Sequence, residues 1–455
     1  MEMVLEFLRD VLSQPALLIG IMSCIGLIAL KRPFHKIMTG TLKPILGYLM
    51  LAAGAGVIVS NLDPLGKMIE HGFHITGVVP NNEAIVAVAQ KVLGVETMSI
   101  LVVGLLMNLL IARFTKFKYV FLTGHHSLFM ACLMSAVLGT AGLSGIELIL
   151  VGGFLMGAWS AISPAIGQSY TSKVTDGDEI ALGHFGSLGY YLSAWVAKYV
   201  GKAEESTEDI EIPEKWGFLR DSTLSTALTM IVFYLIAAIA AGSEFVSTLS
   251  GSMSPYLFAV MSAMNFAVGV AIVYSGVRMI LGDLIPAFQG IATKIIPNAI
   301  PAVDCAVFFT YAPTAVVLGF ISSFIGGIIG MLILGAVGGV LIIPGLVPHF
   351  FCGATAGIYG NATGGRRGAA VGAFLNGLAI TFLPALALPV LGQLGFQNTT
   401  FGDADFAVMG LVLGNAFEWI GMAGIYGVVV IAALVLIIPN FIKTKGKVIN
   451  YVEEE

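Results

Sequence analysis

The side chains able to do chemistry in this chain are few, and they lie where charge is expensive. His125 and His126 interrupt the apolar run Y-V-F-L-T-G-H-H-S-L-F-M (residues 119–130), and His184 sits in D-G-D-E-I-A-L-G-H-F-G-S-L-G-Y-Y. Asp304 follows two prolines in I-P-N-A-I-P-A-V-D-C-A-V, and Asp283, Arg278, His349 and Glu418 complete the set of ionisable groups in apolar surroundings. A charge at the centre of a bilayer costs at least about 2.5–3.5 kcal/mol on insertion scales, so such groups face a cavity or a partner. Imidazole limits that cost because it is neutral over much of the physiological range, yet it still donates and accepts hydrogen bonds. A carboxylate within reach of a hydroxyl can take its proton. Together these groups suit a polar, hydroxyl-rich solute.

Each of the three strongest positions coincides with a backbone break. His125 and His126 follow a Thr-Gly turn, and Pro297 and Pro301 break the helix just before Asp304. Around His184 the glycine spacing is too irregular for one clean crossing, and a re-entrant hairpin returning to the cytoplasm is expected. Three polar groups at three breaks from distant parts of the chain predict convergence on one site. Asp304 carries the strongest case, having no basic residue near it in sequence, whereas Asp283 and Arg278 read as interfacial and Glu418 is ambiguous. The blander reading of a membrane histidine is a helix–helix hydrogen bond. Adjacent residues do not share a helical face, so at most one of His125 and His126 is expected in a given cavity. No H-x3-H, H-E-x-x-H or C-x-x-C spacing occurs, and Cys24, Cys132, Cys305 and Cys352 are isolated, so neither a metal nor a cofactor is expected.

The elements that must hold these groups are membrane helices. Of 455 residues, 57% are hydrophobic and only 11% charged, where a soluble chain would carry about a quarter charged. Apolar stretches of bilayer-spanning length recur from end to end. The fold class is therefore all-α and polytopic, a single membrane domain over residues 1–455, and nothing in its net charge of −5 suggests a nucleic-acid partner. Met1–Gln14 is acidic and polar, unlike a cleavable leader. Basic clusters at Lys31/Arg32/Lys36, Arg113/Lys116/Lys118, Lys198/Lys202/Lys215/Arg220, Arg366/Arg367 and Lys443/Lys445/Lys447 mark cytoplasmic ends. The intervening Asn61–Asn82, Thr140–Gly145, Gly242–Ser254 and Gly392–Ala407 are expected to be outer loops. The scheme requires an odd number of crossings, about eleven. Residues 202–221 form one polar block, expected to be a solvated cytoplasmic linker or a docking surface for a soluble partner. Glycine and proline interrupt Thr39–Gly56 and Ser275–Gly290 in similar ways, and T-G-H-H-S-L-F near Thr123 is echoed by C-G-A-T-A-G-I-Y near Cys352. Broken segments in opposite halves are the mark of an inverted-repeat carrier; dense small residues also serve close helix packing.

Several strings go further. L-T-G-H (Leu122–His125), V-T-D-G with the later G-H (Val174–Gly177, Gly183–His184), I-P-x-A-x-x-A-x-D-C-A (Ile296–Ala306), A-P-T-A-V-V-L-G-F (Ala312–Phe320) and L-I-I-P-G-L-V-P-H-F-F (Leu341–Phe351) resemble the ascorbate-type permeases of the bacterial phosphoenolpyruvate-dependent phosphotransferase system. The likeness is collinear over nearly the whole chain. It implies a membrane EIIC subunit of the cytoplasmic membrane with eleven spans. That subunit would be a homodimer with a moving core and a V-shaped dimerisation motif, served by soluble EIIA and EIIB, the latter presenting a phosphocysteine to the substrate. Carried over by position, the resemblance implies ligand contacts at His125 and the turn after it (His126, Ser127, Phe129), at His184 with Phe185, at Asp304, and at Asn82 and Glu83. Asp304 or His184 would act as the base. The family's glutamines correspond here to Ala52, Phe129 and Phe185, so ascorbate, a related carbohydrate, a sugar acid or a polyol all remain open as substrate. The rival is an ion-coupled secondary transporter without phosphotransfer. A membrane enzyme or receptor would need a nucleophile-elbow, phosphate-loop or paired-metal motif, and the chain has none.

Overall fold

The computed structural model describes residues 11, 14–74, 77–78, 80, 82–210, 222–392 and 400–441. They form α1 (Pro15–Ala29), α2 (Phe34–Phe73), α3 (Asn82–Phe114), β1 (Tyr119–Phe121), α4 (Gly124–Thr140), α5 (Gly145–Thr175), β2 (Ala181–Leu182) and α6 (Ser187–Val200). After these come α7 (Ser222–Ala241), α8 (Ser243–Ser250), α9 (Pro255–Lys294), β3 (Ile300–Val303), a 3-10 turn (Cys305–Thr310), α10 (Pro313–Ala336), α11 (Leu346–Gly392), α12 (Ala404–Ile420) and α13 (Met422–Ile437). Among the described residues seven helices (α2, α3, α5, α9, α10, α11, α13) are long and apolar enough to cross a bilayer, eight if the pair α7/α8, bent by 117°, is one span. The chain is a multi-pass membrane protein. Full-length spans alone do not reach the eleven crossings expected, because several apolar segments are short helices such as α4, α6 and α12 that start at breaks.

Two groups of helices pack side by side: α1, α2, α7, α8 and α9 in one, α3–α6 and α10–α13 in the other. In the first, the 40-residue helices α2 and α9 cross so closely that a Cβ on Gly47 would lie 2.8 Å from the Gly276 carbonyl oxygen. A Cβ on Gly54 would lie 2.7 Å from that of Gly269. The glycine-rich stretches Thr39–Gly56 and Ser275–Gly290 are therefore not interruptions. They are continuous helix, and their small residues serve backbone approach, as in membrane helix pairs generally. The echo between Thr123 and Cys352 also dissolves, since His125 follows a strand and Cys352 lies inside α11.

The second group contains a feature that helical periodicity could not announce: a three-stranded parallel sheet in the order β1-β3-β2. Tyr119 pairs with Ile300, Val120 with Pro301, Phe121 with Ala302, and on the other side Ala181 with Ala302 and Leu182 with Val303. Topology makes it parallel. Each strand follows a long helix (α3, α5, α9) whose last turn carries a basic residue (Arg113, Lys173, Lys294), so all three leave the same face in the same direction. At that face Lys118 Nζ donates to the terminal carbonyls of Ala112 (3.0 Å) and Arg113 (3.3 Å), closing the end of α3. Pro301 sits in the central strand without an N–H to give, and pairing with β2 begins only after it, at Ala302. Strands exposed to lipid would be untenable; these are fully buried in protein.

Two expected loops are ordered elements. Asn61–Phe73 continues α2, and Ser243–Ser250 is α8. In the expected outer loop Gly392–Ala407, residues 393–399 lie outside the described residues, while Asp403 and Asp405 are buried. The polar block 202–221 is described to Ile210, and that part is docked. Helix α11 breaks at Gly364–Gly365, where Gly365 takes φ 58° against the Lys202 and Glu205 carbonyls. Arg366 N–H donates to Glu205 O (2.8 Å), and Thr207 N–H donates to Asn361 Oδ1 (2.8 Å). Glu208 then caps α10, accepting from Thr314 N (3.0 Å), Thr314 Oγ1 (2.9 Å) and Ala315 N (3.1 Å).

Candidate functional site

The three strands end where the chemistry begins. Leu122 and Thr123 separate β1 from α4, whose second and third residues are His125 and His126; Gly183 and His184 follow β2; Asp304 follows β3. Strand pairing thus brings all three sequence positions to one edge, at the carboxyl ends of parallel strands, where open parallel sheets commonly bind ligands. Beyond that edge lies a cavity of about 1120 Å³ between the two helix groups, lined by His125, His126, Phe129, His184 and Asp304, and by α2 on the opposite wall.

His125 Nε2 is 3.4 Å from Asp304 Oδ2, and its Nδ1 lies 3.2 Å from the Tyr48 hydroxyl on α2. The other Asp304 oxygen accepts from Ala306 N–H (3.0 Å), capping the 3-10 turn. Deeper in, the His126 and His184 rings lie 3.8 Å apart. His184 Nδ1 accepts from Gly186 N–H (3.1 Å) and lies 2.9 Å from the Tyr190 hydroxyl; His126 Nδ1 accepts from Phe185 N–H (3.3 Å). A backbone N–H can only donate, so in both neutral rings the proton sits on Nε2. Phe406 stacks on His126 at 5.6 Å and 12°. Both His125 and His126 line the cavity, contrary to the expectation that at most one would. They occupy the first turn of a helix that begins at the cavity, where its end, as well as one face, is open.

The other expected contacts divide. Phe129 reaches the cavity and meets His125 edge-on at 5.8 Å. Ser127 is buried, its hydroxyl donating to Thr123 O (3.3 Å), and is not part of the lining. Phe185 is fully buried against Phe121 (4.6 Å, 17°), so its part is packing and the placement of His126 through its backbone. Asn82 lines the cavity; the side chain of Glu83 lies outside the described residues. His349 is the helix–helix hydrogen bonder of the blander reading, with Nδ1 2.9 Å from Ser323 Oγ.

Among the lining residues that escaped sequence reasoning, three stand beside the predicted cluster. Tyr48 lies in the glycine-rich part of α2, and Cys352 and Asp403 join Asn82 in a second cluster. Asn82 Nδ2 donates to Asp403 Oδ2 (2.6 Å), Gly402 N–H donates to Asn82 Oδ1 (2.9 Å), and the Cys352 thiol donates to Asp403 Oδ1 (3.0 Å). His184 Nδ1 lies 3.8 Å from Asp403 Oδ1. The only sequence signal for Asp403 was the pair of carboxylates in F-G-D-A-D, hidden by the expectation of an outer loop. Its neighbour Asp405 accepts from Leu188 N–H (2.9 Å), Ser187 Oγ (2.7 Å) and Trp159 Nε1 (3.1 Å), clamping the start of α6 and with it the loop that carries His184. The starts of the 3-10 turn and of α6 thus face Asp304 and Asp405 and offset their charge.

Two sets of donors, His126/His184/Asp403 and His184/Asp304/Cys305, have ligand atoms within 4.8 Å of one another, although no metal spacing exists in the sequence. Both Nδ1 atoms and both Asp403 oxygens are already engaged by donors. The arrangement works better as a hydrogen-bonding floor, offering Nε2–H donors beside carboxylate acceptors.

A family model for the sugar-specific permease component of the phosphotransferase system, EIIC-GAT, matches residues 10–405. Among curated relatives, the chain is 26% identical over 417 residues to an ascorbate-specific phosphotransferase EIIC component of Mycoplasma pneumoniae. That alignment covers 78% of this chain and 62% of the relative, so the chain spans less than two thirds of the relative's length.

Proposed function

Since the chain belongs to the EIIC-GAT family of phosphotransferase sugar permeases, we propose that it carries ascorbate or a related carbohydrate, sugar acid or polyol across the bacterial cytoplasmic membrane, for phosphorylation by a soluble EIIB that EIIA recharges. The observation that carries this reading is the cavity edge at which His125, His184 and Asp304 meet.

The cavity's lining along α2 runs from Tyr48 to Phe73, 25 residues or roughly 38 Å. It runs away from the helix start beside Lys31, Arg32 and Lys36, which the positive-inside rule assigns to the cytoplasm. On this reading the cavity is open to the outer face, ready to load. Substrate hydroxyls donate to Asp304 and accept from the Nε2–H groups of His126 and His184, while Phe129 covers an apolar ring face. Movement of the β1-β3-β2 group past α2 and α9 carries the site to the cytoplasm, and the protein works as a homodimer. There a substrate hydroxyl oxygen attacks the phosphorus of the EIIB phosphocysteine. The P–S bond breaks, the thiolate leaves on EIIB, and the hydroxyl proton passes to Asp304; His184, whose Nδ1 is engaged by Gly186 N–H and whose Nε2 already carries a proton, orients the substrate by donating to it.

The test is uptake of labelled ascorbate and a panel of sugars and polyols into vesicles, with and without phosphorylated EIIB. Phosphorylated product must accumulate only with EIIB, and correctly inserted Asp304→Asn and His184→Ala must each lose at least about 90% of uptake, a tenfold loss equivalent to about 1.4 kcal/mol, which is within reach of one hydrogen bond lost in the site. Uptake driven by a proton or sodium gradient alone would establish the ion-coupled rival, and full uptake in both variants would refute the site.

A further inference from the structure

Asp403 is absent from the residues that the family resemblance supplies, yet it stands on the same cavity floor as Asp304 and His184. Two of its acceptor positions are taken by Asn82 and Cys352, and a carboxylate has about four. The rest are free for a ligand. The charge around it is one-sided. The described lining of the cavity contains four carboxylates (Asp63, Glu70, Asp304, Asp403), three imidazoles, and as its sole lysine or arginine Lys67, which is paired with Asp63 at 2.8 Å far along α2. With the imidazoles neutral the lining is net negative, and protonating all three would only bring it to zero. With the carboxylates ionised, neither state of the described lining is net positive.

We propose that Asp403 is a specificity-determining residue of this cavity. With Asp304 it forms a two-carboxylate floor that holds hydroxyl groups as hydrogen-bond donors and rejects ligands carrying their own negative charge. The inference rests on the permease reading above and narrows its substrate to an uncharged polyhydroxy compound. Sugar acids rank lower, and so does ascorbate, an anion at neutral pH. Hydroxyls satisfy both carboxylates and receive the imidazole Nε2–H donors, whereas a ligand carboxylate would sit among like charges in a partly desolvated space.

The experiment is equilibrium binding to the purified full-length protein in lipid nanodiscs. Matched labelled pairs serve as probes, a hexitol with its hexonate and a pentitol with its pentonate, with ascorbate alongside. In the unmodified protein the uncharged member of at least one pair binds at least about tenfold more tightly than its acid. In Asp403→Asn that preference falls to near parity because the acid gains. Asn82→Ala, which removes a partner of Asp403 without changing charge, shifts both members of the pair together and so reports a purely structural effect. Acids or ascorbate binding the unmodified protein as tightly as the polyols overturn the proposal, as does an Asp403→Asn variant that weakens both members equally, or no binding by any pair. If Asp403→Asn does not insert, the ratio in the unmodified protein decides. Loss of EIIB dependence in the uptake assay would sink the permease reading while leaving this ratio standing, so the two failures are distinguishable.

Discussion

Replacing Gly47 by alanine is a small change with a computable consequence. The new methyl group would lie 2.8 Å from the Gly276 carbonyl oxygen and 2.9 Å from the Ile280 amide nitrogen. Carbon and oxygen in contact sit at about 3.4 Å or more, so α2 and α9 must separate by roughly 0.6 Å, and a gap of that size forfeits a quarter to a half of each contact's dispersion well along the seam. Overpacking of this kind costs about 1–3 kcal/mol. Alanine also raises helix propensity over glycine by about 1 kcal/mol, which would mask part of the loss. Gly56 supplies the control, nine residues further along the same helix: nothing lies within 4 Å of a Cβ built there, so Gly56→Ala collects the propensity gain alone. The difference between the two variants, about 1–3 kcal/mol, is then the cost of the crossing itself. Tyr48, next in the chain, would shift with α2, and its hydroxyl would leave the 3.2 Å contact with His125. Apparent melting temperatures in one detergent should therefore rank Gly56→Ala at or above the unmodified protein and Gly47→Ala below it, with ligand affinity reduced only in the latter. Equal stability of the two variants would show that the close crossing does not hold this helix pair.

Two further perturbations test the local arguments. Tyr48→Phe removes one neutral intramolecular hydrogen bond to His125 and should lower stability by about 0.5–1.5 kcal/mol in a thermal melt, with a loss of substrate affinity in titration of the purified protein because His125 is no longer held in place. Glu208→Ala strips the cap from α10 and should lower stability by about 0.5–2 kcal/mol in a thermal melt, with substrate affinity unaltered because the cap lies outside the cavity lining.

These tests probe features of unequal visibility in the sequence. His125, His184 and Asp304 could be singled out because an ionisable group in an apolar run is costly, and cost is a property of the residue and its neighbours in sequence. The device that unites them was not legible. Strands of two to four residues are too short for a period of two to show, and pairing is a relation between segments over a hundred residues apart. What the sequence did contain was its direction: the basic residues ending α3, α5 and α9 place three re-entering segments on one face, and three segments re-entering from one face can pair only in parallel. Asp403 failed the same cost test for the opposite reason. Its neighbourhood read as a loop in water, where a carboxylate is cheap, and only the packing of Asn82, Cys352 and His184 around it makes its position expensive. Ser127 and Phe185 illustrate a third limit. Positional carry-over pointed to turns that line the cavity, but a side chain one residue from a cavity-lining imidazole can point into the core, as both do here. The substrate preference proposed above therefore rests on which side chains reach the cavity floor, and among the described lining residues the carboxylates outnumber the lysines and arginines.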